Sequence, residues 1–200
     1  MNKKKIISLL ISMLLLMSLV AGCNSSKKNS NDGNNSSKEE TNKEDSSKSE
    51  VNSVKENIKN FEKSSKLDVD GLKITVKNIK FTSDILPDKV EGLYNHFLAD
   101  KDKVYLEVDT DIKNTNKQDQ VVENIGTIEL DYDNGYEYKG WLIPEDSQTS
   151  FSYANITSIK PLETMGIRWA VELPKEVAET KKPVKITLTI GNEKYICKFR

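Results

Sequence analysis

The sequence predicts an all-β fold, an antiparallel β-sandwich with one inserted amphipathic helix, preceded by a signal peptide and a disordered linker. From Leu72 onward, apolar residues alternate with polar ones in short runs that end at turn residues, which is typical of a two-sheet protein. One stretch shows helical spacing instead. The first 66 residues are dominated by an apolar run and a polar tract. We therefore expect a signal peptide at 1–22, a tether at 23–66 and one folded domain at 67–200.

The N-terminal leader has the layout of a secretory signal. Positive charge at Lys3–Lys5 precedes an uncharged apolar run, Ile6–Val20, and the small residues Ala21 and Gly22 follow. The closing letters VAGC resemble the lipobox of bacterial lipoproteins, which implies cleavage before Cys23 and a diacylglycerol, with fatty acids such as palmitate, on its sulfur. Two acyl chains hold a protein at a membrane because each buried methylene contributes about 0.8 kcal/mol. A plain signal peptide or an uncleaved anchor is the alternative.

The tether from Cys23 to Lys66 is built almost entirely from serine, asparagine, lysine and acidic residues, with no apolar residue between Asn24 and Glu50. Such a segment cannot bury enough surface to offset its ordering entropy, so we expect it to be disordered. A coil of this length reaches about 35–40 Å on average. Near its end, helix-like spacing of four apolar residues is compatible with a short helix. These residues are Val51, Val54, Ile58 and Phe61.

Charge and cysteine content exclude several classes of function. Thirty basic residues against 31 acidic ones give a net charge of −1, and no block of like charge points to nucleic acid. If Cys23 carries lipid, Cys197 has no partner within the chain. It alternates with Tyr195 and Phe199, so we expect a buried, inert thiol. We expect a monomer without a cofactor.

The strands of the domain are predicted from period-two alternation and turn residues. After Asn78 the phase slips, as a β-bulge produces. The run Val104–Ile112 is the longest clean alternation, with its acidic residues facing solvent, and Asn134-Gly135 predicts a hairpin. The acidic residues are Glu107, Asp109 and Asp111. Further strands are predicted at Leu72–Val76, Ile79–Phe81, Ile128–Tyr132, Tyr136–Tyr138, Ile167–Leu173, Val184–Ile190 and Tyr195–Phe199.

The segment Asp88–Ala99 interrupts this pattern. Its apolar residues follow the spacing of an amphipathic helix, with Asp88 as N-cap and Glu91 completing a capping box. The apolar residues are Val90, Leu93, Tyr94, Phe97 and Leu98. A stripe this apolar is costly to leave in water, so we expect a lid over one end of the sandwich, and a docking surface is the alternative.

Three stretches of the domain are similar to a known pattern: VYLEVDTDIKNTNKQD, ELDYDNGYEY and IKPLETMGIRWAVELPKEV. They resemble the immunoglobulin-like domain-of-unknown-function family numbered 4352, which is found in bacterial surface lipoproteins. The match spans Gly71–Arg200 and includes Pro161, Glu163, Gly166 and Pro174. The resemblance implies an immunoglobulin-like sandwich behind a lipobox and a polar linker. The family has no agreed catalytic residues, so the resemblance assigns none here.

Motifs for catalysis or metal binding are weak. His96 is the single histidine, which leaves zinc sites without their usual ligands and a nucleophile with one available base. The spacing of Glu129, Asp131 and Asp133 before Gly135 does not fit a calcium loop, so a hairpin turn is the preferred interpretation. The remaining carboxylates are expected to be solvated. Aromatic residues near the hairpin are interpreted as cover for a sheet face, with stacking on a sugar or peptide as the alternative. They are Tyr136, Tyr138 and Trp141.

These observations favour a non-catalytic binding module, anchored to the extracytoplasmic face of the cell membrane through lipidated Cys23. Its partner is expected to be an envelope protein or a wall polymer, with Asp88–Ala99 and Tyr136–Trp141 as the first candidate contact regions. The alternative is an envelope hydrolase that uses surface carboxylates, which needs a concave pocket with convergent polar groups. A substrate-binding protein of an importer is excluded because the domain is too short for two lobes.

Overall fold

The computed structural model of the chain describes residues 57–146 and 150–200. Cys23, the signal peptide at 1–22 and the tether up to residue 56 lie outside the described residues, so their assignments stay predictions. Among the described residues, no helix is long and apolar enough to cross a bilayer.

Short strands make up most of the described chain. In chain order they are β1 (Asn57–Asn60), β2 (Lys66–Val69), β3 (Leu72–Thr82), β4 (Asp84–Ile85), β5 (Phe97–Leu98), β6 (Lys103–Asn114), β7 (Gln120–Val121), β8 (Gly126–Tyr132), β9 (Tyr136–Lys139), β10 (Trp141–Asp146), β11 (Ser150–Phe151), β12 (Ser158–Ile159), β13 (Thr164–Pro174), β14 (Val184–Ile190) and β15 (Glu193–Lys198). The described helices are the 3-10 turn Val122–Asn124 and α1 (Lys175–Glu179).

Within residues 57–146 and 150–200, these strands form a six-stranded and a five-stranded sheet. The order of the larger sheet is β11-β10-β13-β6-β3-β2, and that of the smaller sheet is β1-β15-β14-β8-β9. Two short pairs, β12 with β7 and β4 with β5, lie outside them. The strand pairs are antiparallel, except that β1 is parallel to β15. The predicted all-β antiparallel sandwich is confirmed.

The predicted β-bulge lies in β3. Val76 pairs with Thr110 and Asn78 pairs with Asp109 on β6, so Lys77 is the extra residue. A bulge twists its strand and re-aims a side chain. Here the bulged residue contributes its ammonium group to a cluster of carboxylates on the outer face of the six-stranded sheet.

The predicted hairpin joins β8 and β9, with Tyr132 opposite Tyr136. Positive φ falls on Asp133 (54°) and Asn134 (56°) rather than on Gly135. Aspartate and asparagine tolerate this region of backbone space better than other residues with a side chain. The hairpin is therefore confirmed, with its left-handed residues one position earlier than the Asn-Gly pair predicts.

Apolar side chains from both sheets meet in one main core. Trp169 on β13 is fully buried, as are Leu106 on β6 and Leu188 on β14. The Trp169 indole donates a 3.1 Å hydrogen bond to Thr110 Oγ1, and that hydroxyl donates to the Ile167 carbonyl at 2.8 Å. The buried polar groups of this region are thus paired, as burial requires.

The C-terminal strand pair confirms the expected environment of Cys197. Tyr195 and Cys197 are buried, and Phe199 packs at the border of the same core. Burial, with a smaller contribution from the charge of Glu62, raises the pKa of the Cys197 thiol. A thiol in this state is protonated and unreactive.

The predicted helix at Asp88–Ala99 is wrong. This segment is irregular up to β5, where Phe97 and Leu98 pair with Ile85 and Asp84 of β4. Gly92 has a φ of +71°, which an α-helix does not accommodate. A helix this short is marginal on its own, so tertiary contacts at both ends of the segment decide its path.

The expected lid is also wrong for most of the segment. Leu93 is 102% exposed and Leu98 is 66% exposed. Val90 and Tyr94 are exposed as well, whereas Phe97 packs 5.7 Å from the Phe151 ring. The apolar side chains of residues 88–99 therefore face solvent more than they cover the sandwich.

Residues 57–66, which the sequence assigns to the tether, belong to the described fold. Asn57–Asn60 pairs with β15, so the helix suggested around Ile58 is wrong over these positions. Phe61 is 4% exposed within the main core, and its backbone N–H donates to the Ile196 carbonyl. Open backbone groups along an edge strand bind an extended segment readily, which explains the choice of strand over helix.

Candidate binding groove and its charge cluster

A buried arginine organises the outer face of the six-stranded sheet. Arg168 on β13 lies opposite Asp109 on β6, and its side chain is 2% exposed. Its Nη1 lies 2.7 Å from Asp109 Oδ1, and its Nε lies 3.3 Å from Glu107 Oε1. Its Nη2 lies 2.7 Å from Asp88 Oδ1 and 3.1 Å from Glu145 Oε1. One guanidinium thus contacts carboxylates from β6, β10 and the 86–96 segment.

Two lysines complete this charge cluster. Lys80 Nζ lies 3.3 Å from Glu107 Oε2. Lys77 Nζ contacts three carboxylates: Asp88 at 2.8 Å, Asp111 at 3.2 Å and Asp109 at 3.3 Å. We call the group of Arg168, Lys77, Lys80, Glu107, Asp109, Asp111, Asp88 and Glu145 the charge cluster. Its three cations and five carboxylates leave a formal excess of two negative charges.

Glu107 and Asp109 correct the expectation that these strand carboxylates are solvated. The Glu107 side chain is 2% exposed, Asp109 is 17% exposed, and Asp111 is 42% exposed. Burial raises the pKa of Glu107 against the opposing charges of Lys80 and Arg168. Burial likewise raises the pKa of Asp109 against Arg168 and Lys77.

Asp88 and Glu145 lie side by side, and their pKa values move in opposite directions. Burial raises the pKa of Glu145 despite a backbone hydrogen bond from Asp88 and the charge of Arg168. Burial also acts to raise the pKa of Asp88, but the Lys77 hydrogen bond and the Arg168 charge hold it below its ordinary value. Carboxylates with divergent environments are one signature of acid-base sites, although both groups here are engaged in ion pairs.

The contacts around Arg168 are close but imperfectly aligned. Among the described residues, Arg168 Nε and Nη1, Glu107 Oε2 and Asp109 Oδ1 are buried without a hydrogen bond of good geometry. Desolvation of such groups offsets much of their mutual attraction, whereas removal of one partner costs about 3–5 kcal/mol. The cluster therefore contributes positioning of the 86–96 segment more than net stability.

Gly166 allows Glu145 to reach Arg168. A Cβ atom at Gly166 would lie 2.3 Å from Glu145 Oε2 and 3.6 Å from Arg168 Nη1. The carboxylate therefore lies directly over the bare backbone of β13. The absence of a side chain at this position is a packing requirement of the cluster.

An open groove of about 990 Å³ lies above the charge cluster. It is lined by side chains from four parts of the chain: residues 87–93, residues 145–146 with 150–152, residues 156–160 and residues 163–166. Asp88 and Glu145 of the charge cluster line the groove, and we call these two carboxylates its floor. We call the exposed apolar lining residues Leu93 and Ile156 its rim. A pocket of about 400 Å³ adjoins it through Ser152.

The adjoining pocket is aromatic. It is lined by Tyr94, His96, Phe97, Phe151 and Tyr153, among others. Tyr153 is 77% exposed. His96 Nδ1 lies 2.8 Å from Asp84 Oδ1, and the His96 ring meets the Tyr94 ring edge-on at 5.9 Å. His96 is thus held at the pocket wall by a carboxylate and an aromatic ring.

The rim of the groove includes unusually exposed apolar residues. Leu93 is 102% exposed and Ile156 is 73% exposed. Leu162 is 72% exposed and has a φ of +67°, beside the groove residue Glu163. A branched side chain in the left-handed region costs free energy. Exposed apolar side chains that line one groove, as Leu93 and Ile156 do, favour an interaction site, whereas scattered ones are ordinary.

The second region proposed from sequence, Tyr136–Trp141, does not form one aromatic platform. The ring centroids of Tyr136 and Tyr132 lie 6.0 Å apart, and those of Trp141 and Tyr105 also lie 6.0 Å apart. Tyr138 packs against the main core. Each ring contacts a different partner, which supports their interpretation as cover for a sheet face rather than as one stacking surface.

The hairpin carboxylates each lie near a cation, which supports their interpretation as turn residues. Asp131 Oδ2 lies 2.9 Å from Lys185 Nζ, and Asp133 Oδ2 lies 2.7 Å from Lys182 Nζ. Asp131 Oδ1 also accepts a 2.9 Å hydrogen bond from the Gly135 backbone N–H. Among the described residues, no group of three or more His, Cys, Asp and Glu side chains is arranged to hold a metal ion.

Sequence reasoning missed Arg168, although a signal for it exists. Arg168 stands between Ile167 and Trp169, within the largely apolar run Ile167–Val171. A cation in such a position requires a buried anion. The alternating acids of β6 supply it, because β6 and β13 are neighbours in the sheet.

Two solved structures are similar to this chain. The first is an uncharacterised β-sandwich protein from Clostridium difficile 630, with 38% sequence identity and a TM-score of 0.70, covering 80% of this chain and 100% of that chain. The second is a conserved hypothetical protein from Bacillus anthracis, with 13% identity and a TM-score of 0.43, covering 62% of this chain and 87% of that chain. No protein-family model and no curated protein matches the chain.

Proposed function

The chain belongs to the same family as the uncharacterised β-sandwich protein of Clostridium difficile 630, and we propose that it is a non-catalytic binding module of the cell envelope. In this proposal lipidated Cys23 anchors the protein to the outer face of the membrane, and the polar tether presents the sandwich. The sequence support is the lipobox-like end of the leader and the resemblance to immunoglobulin-like surface lipoproteins of the domain-of-unknown-function 4352 family.

The observation that carries the binding role is the groove with its exposed apolar rim. Leu93 and Ile156 project into solvent from loops, and the charge cluster fixes one of these loops through Asp88. Isolated surface apolar residues are ordinary, but apolar residues gathered at a concave site favour contact with a partner. A rigid sandwich that holds such a site needs little ordering when it binds.

Site-specific photocrosslinking in intact cells tests the binding role. A photoreactive residue is placed at Leu93, at Ile156 or, as the matched control on the smaller sheet, at Tyr136, which is 60% exposed. We expect a discrete crosslinked species from both groove positions and none from Tyr136. Equal crosslinking from all three positions would contradict a defined binding groove.

The membrane anchor is tested separately. We expect radiolabelled palmitate to enter the wild-type protein and membrane fractions to retain it. Cys23→Ser should abolish the label and release the protein into the soluble fraction, because the acyl chains that hold it at the membrane are then absent. Membrane retention of the Cys23→Ser protein without label would overturn the proposed anchor.

A hydrolase is the second candidate, since Asp88 and Glu145 combine a lowered and a raised pKa at the groove floor. Both are engaged with Arg168, which favours a structural role. Purified protein incubated with isolated cell walls should release no soluble fragments. Release by the wild type that is lost in Glu145→Gln would establish catalysis instead.

A further inference from the structure

The described side chains that line the groove carry an excess of negative charge. Two lysines and five carboxylates line it; the carboxylates are Asp88, Glu91, Glu145, Asp146 and Glu163. The excess is three negative charges. The other members of the charge cluster do not cancel it, because they add three cations and three carboxylates. The potential at the groove therefore attracts cations.

Apolar side chains stand beside these carboxylates. Leu93 and Ile156 lie at the rim, and Tyr94 and Tyr153 line the aromatic pocket next to it. All four are exposed. An occupant that buried them would gain about 25 cal/mol for each Å² of apolar surface removed from water. A complementary partner therefore combines positive charge with apolar side chains.

We propose that the groove binds a basic polypeptide segment that carries apolar side chains. The proposal rests on the binding role proposed above and specifies its partner. Lysine and arginine side chains have long apolar stems and charged ends, so they can lie along the aromatic and aliphatic rim while reaching Glu91 and Glu163. An anionic wall polymer carries charge of the same sign as the groove and is disfavoured by repulsion.

Fluorescence anisotropy with defined peptides tests this proposal on the full-length chain purified in mild detergent. The probe is a short fluorescent peptide of alternating lysine and leucine. A glutamate–leucine peptide reverses the charge, and a lysine–serine peptide removes the apolar side chains. We expect binding of the lysine–leucine peptide, at least about ten-fold weaker binding of the lysine–serine peptide, and none of the glutamate–leucine peptide.

Paired variants locate the site. Glu91→Gln with Glu163→Gln should weaken binding of the lysine–leucine peptide about five-fold, because exposed ion pairs contribute modestly, and should reduce its salt dependence. The matched control is Glu137→Gln with Glu176→Gln, which removes the same charge from exposed positions on β9 and α1. We expect the control to bind as the wild type does. Equal weakening by both pairs would overturn the proposal.

A rim variant and a polyanion probe complete the test. Leu93→Ser with Ile156→Ser should weaken binding about ten-fold or more without a change in salt dependence, because both side chains lose their buried area. Binding of inorganic polyphosphate in place of the peptide would overturn the proposal in favour of a polyanion. Peptide binding at the groove without crosslinking in cells would uphold the groove's chemistry and reject its envelope role.

Discussion

On one face of the six-stranded sheet, Trp169 and Leu106 pack against the apolar side chains of the smaller sheet. On the other face of the same two strands, Arg168 and Glu107 are equally buried. The apolar face is stabilised by burial of area, which is non-directional and needs no specific partner for each side chain. The charged face depends on complete pairing, since each ion is costly without its partner. Two faces with the same burial therefore respond differently to substitution.

Removal of the Arg168 charge should cause the largest loss of stability. Arg168→Met leaves Glu107 and Asp109 buried near reduced positive charge, so we expect a loss of about 3–5 kcal/mol in the free energy of unfolding. Urea denaturation measures it. The control is Lys139→Met, because the Lys139 side chain is 83% exposed and its Nζ lies 3.7 Å from Glu129 Oε1; we expect a change below about 0.5 kcal/mol. Similar small losses in both variants would show that Arg168 is dispensable.

Two glycines allow the faces to be compared by the same substitution. A Cβ at Gly140 would lie 2.1 Å from the Ala170 carbonyl oxygen and 2.7 Å from Ile128 Cγ2. The Ala170 backbone carbonyl cannot shift easily, so Gly140→Ala should lower the free energy of unfolding by about 2–3 kcal/mol. At Gly166 the obstacle is the flexible Glu145 side chain, so Gly166→Ala should cost about 1 kcal/mol. The reverse order in thermal unfolding would contradict this account.

Release of the 86–96 segment should have a smaller effect on global stability. Asp88 is half exposed and pairs with Arg168 and Lys77, so Asp88→Asn should cost about 1 kcal/mol or less. Local opening should rise more clearly, and we expect trypsin to cleave after Lys89 several-fold faster. Glu91→Gln on the same segment is the control. Unchanged cleavage in Asp88→Asn would show that other contacts hold the segment.

The smallest expected effect is the pH dependence of the charged face. Glu107, Asp109 and Glu145 have raised pKa values, so each binds its proton more tightly in the folded chain than in the unfolded chain. Their stabilising contribution is complete below the ordinary pKa values of 4.5 for Glu and 3.8 for Asp, and is lost as the pH rises through the raised values. Asp88 has the opposite sign and loses its contribution as the pH falls through its lowered value.

A variant isolates this pH dependence from that of other groups. We expect Glu107→Gln to flatten the decline in the free energy of unfolding as the pH rises above the ordinary glutamate pKa of 4.5, and urea titrations at several pH values measure it. The slope of the Lys139→Met protein, which retains Glu107, Asp109 and Glu145 and changes only an exposed lysine, serves as reference. Identical slopes in the wild type and Glu107→Gln would contradict a raised Glu107 pKa.

Local patterns predicted the strands well and the covering segment poorly. The phase slip near Asn78 and the turn before Gly135 were both readable, because bulges and hairpins depend on residues close in sequence. The spacing of Val90, Leu93 and Tyr94 matched a helix, but the matching residues face solvent. Spacing alone does not report whether a second surface exists for the stripe to cover.

The groove could not be predicted because it joins distant parts of the chain. Glu145 and Gly166 meet Asp88 only after β10 and β13 pair and the 86–96 segment crosses the sheet. The alternation of apolar and acidic residues along β6 correctly predicted which side chains lie on each face of the strand. It could not show that the outer face is covered, since coverage depends on contacts from β11, β4 and the intervening segment.

The sequence by itself determined the all-β class, the main strands, the hairpin, the bulge and the buried side of Cys197, since each follows from period-two alternation and local turn chemistry. The tertiary structure alone decided that the outer face of β6 and β13 is buried, that Arg168 neutralises acids from three elements, and that residues 87–93 line a groove. The physical reason is the separation along the chain over which each effect acts. Alternation is set by neighbours along the strand, whereas desolvation and ion pairing are set by whichever distant segment closes over it.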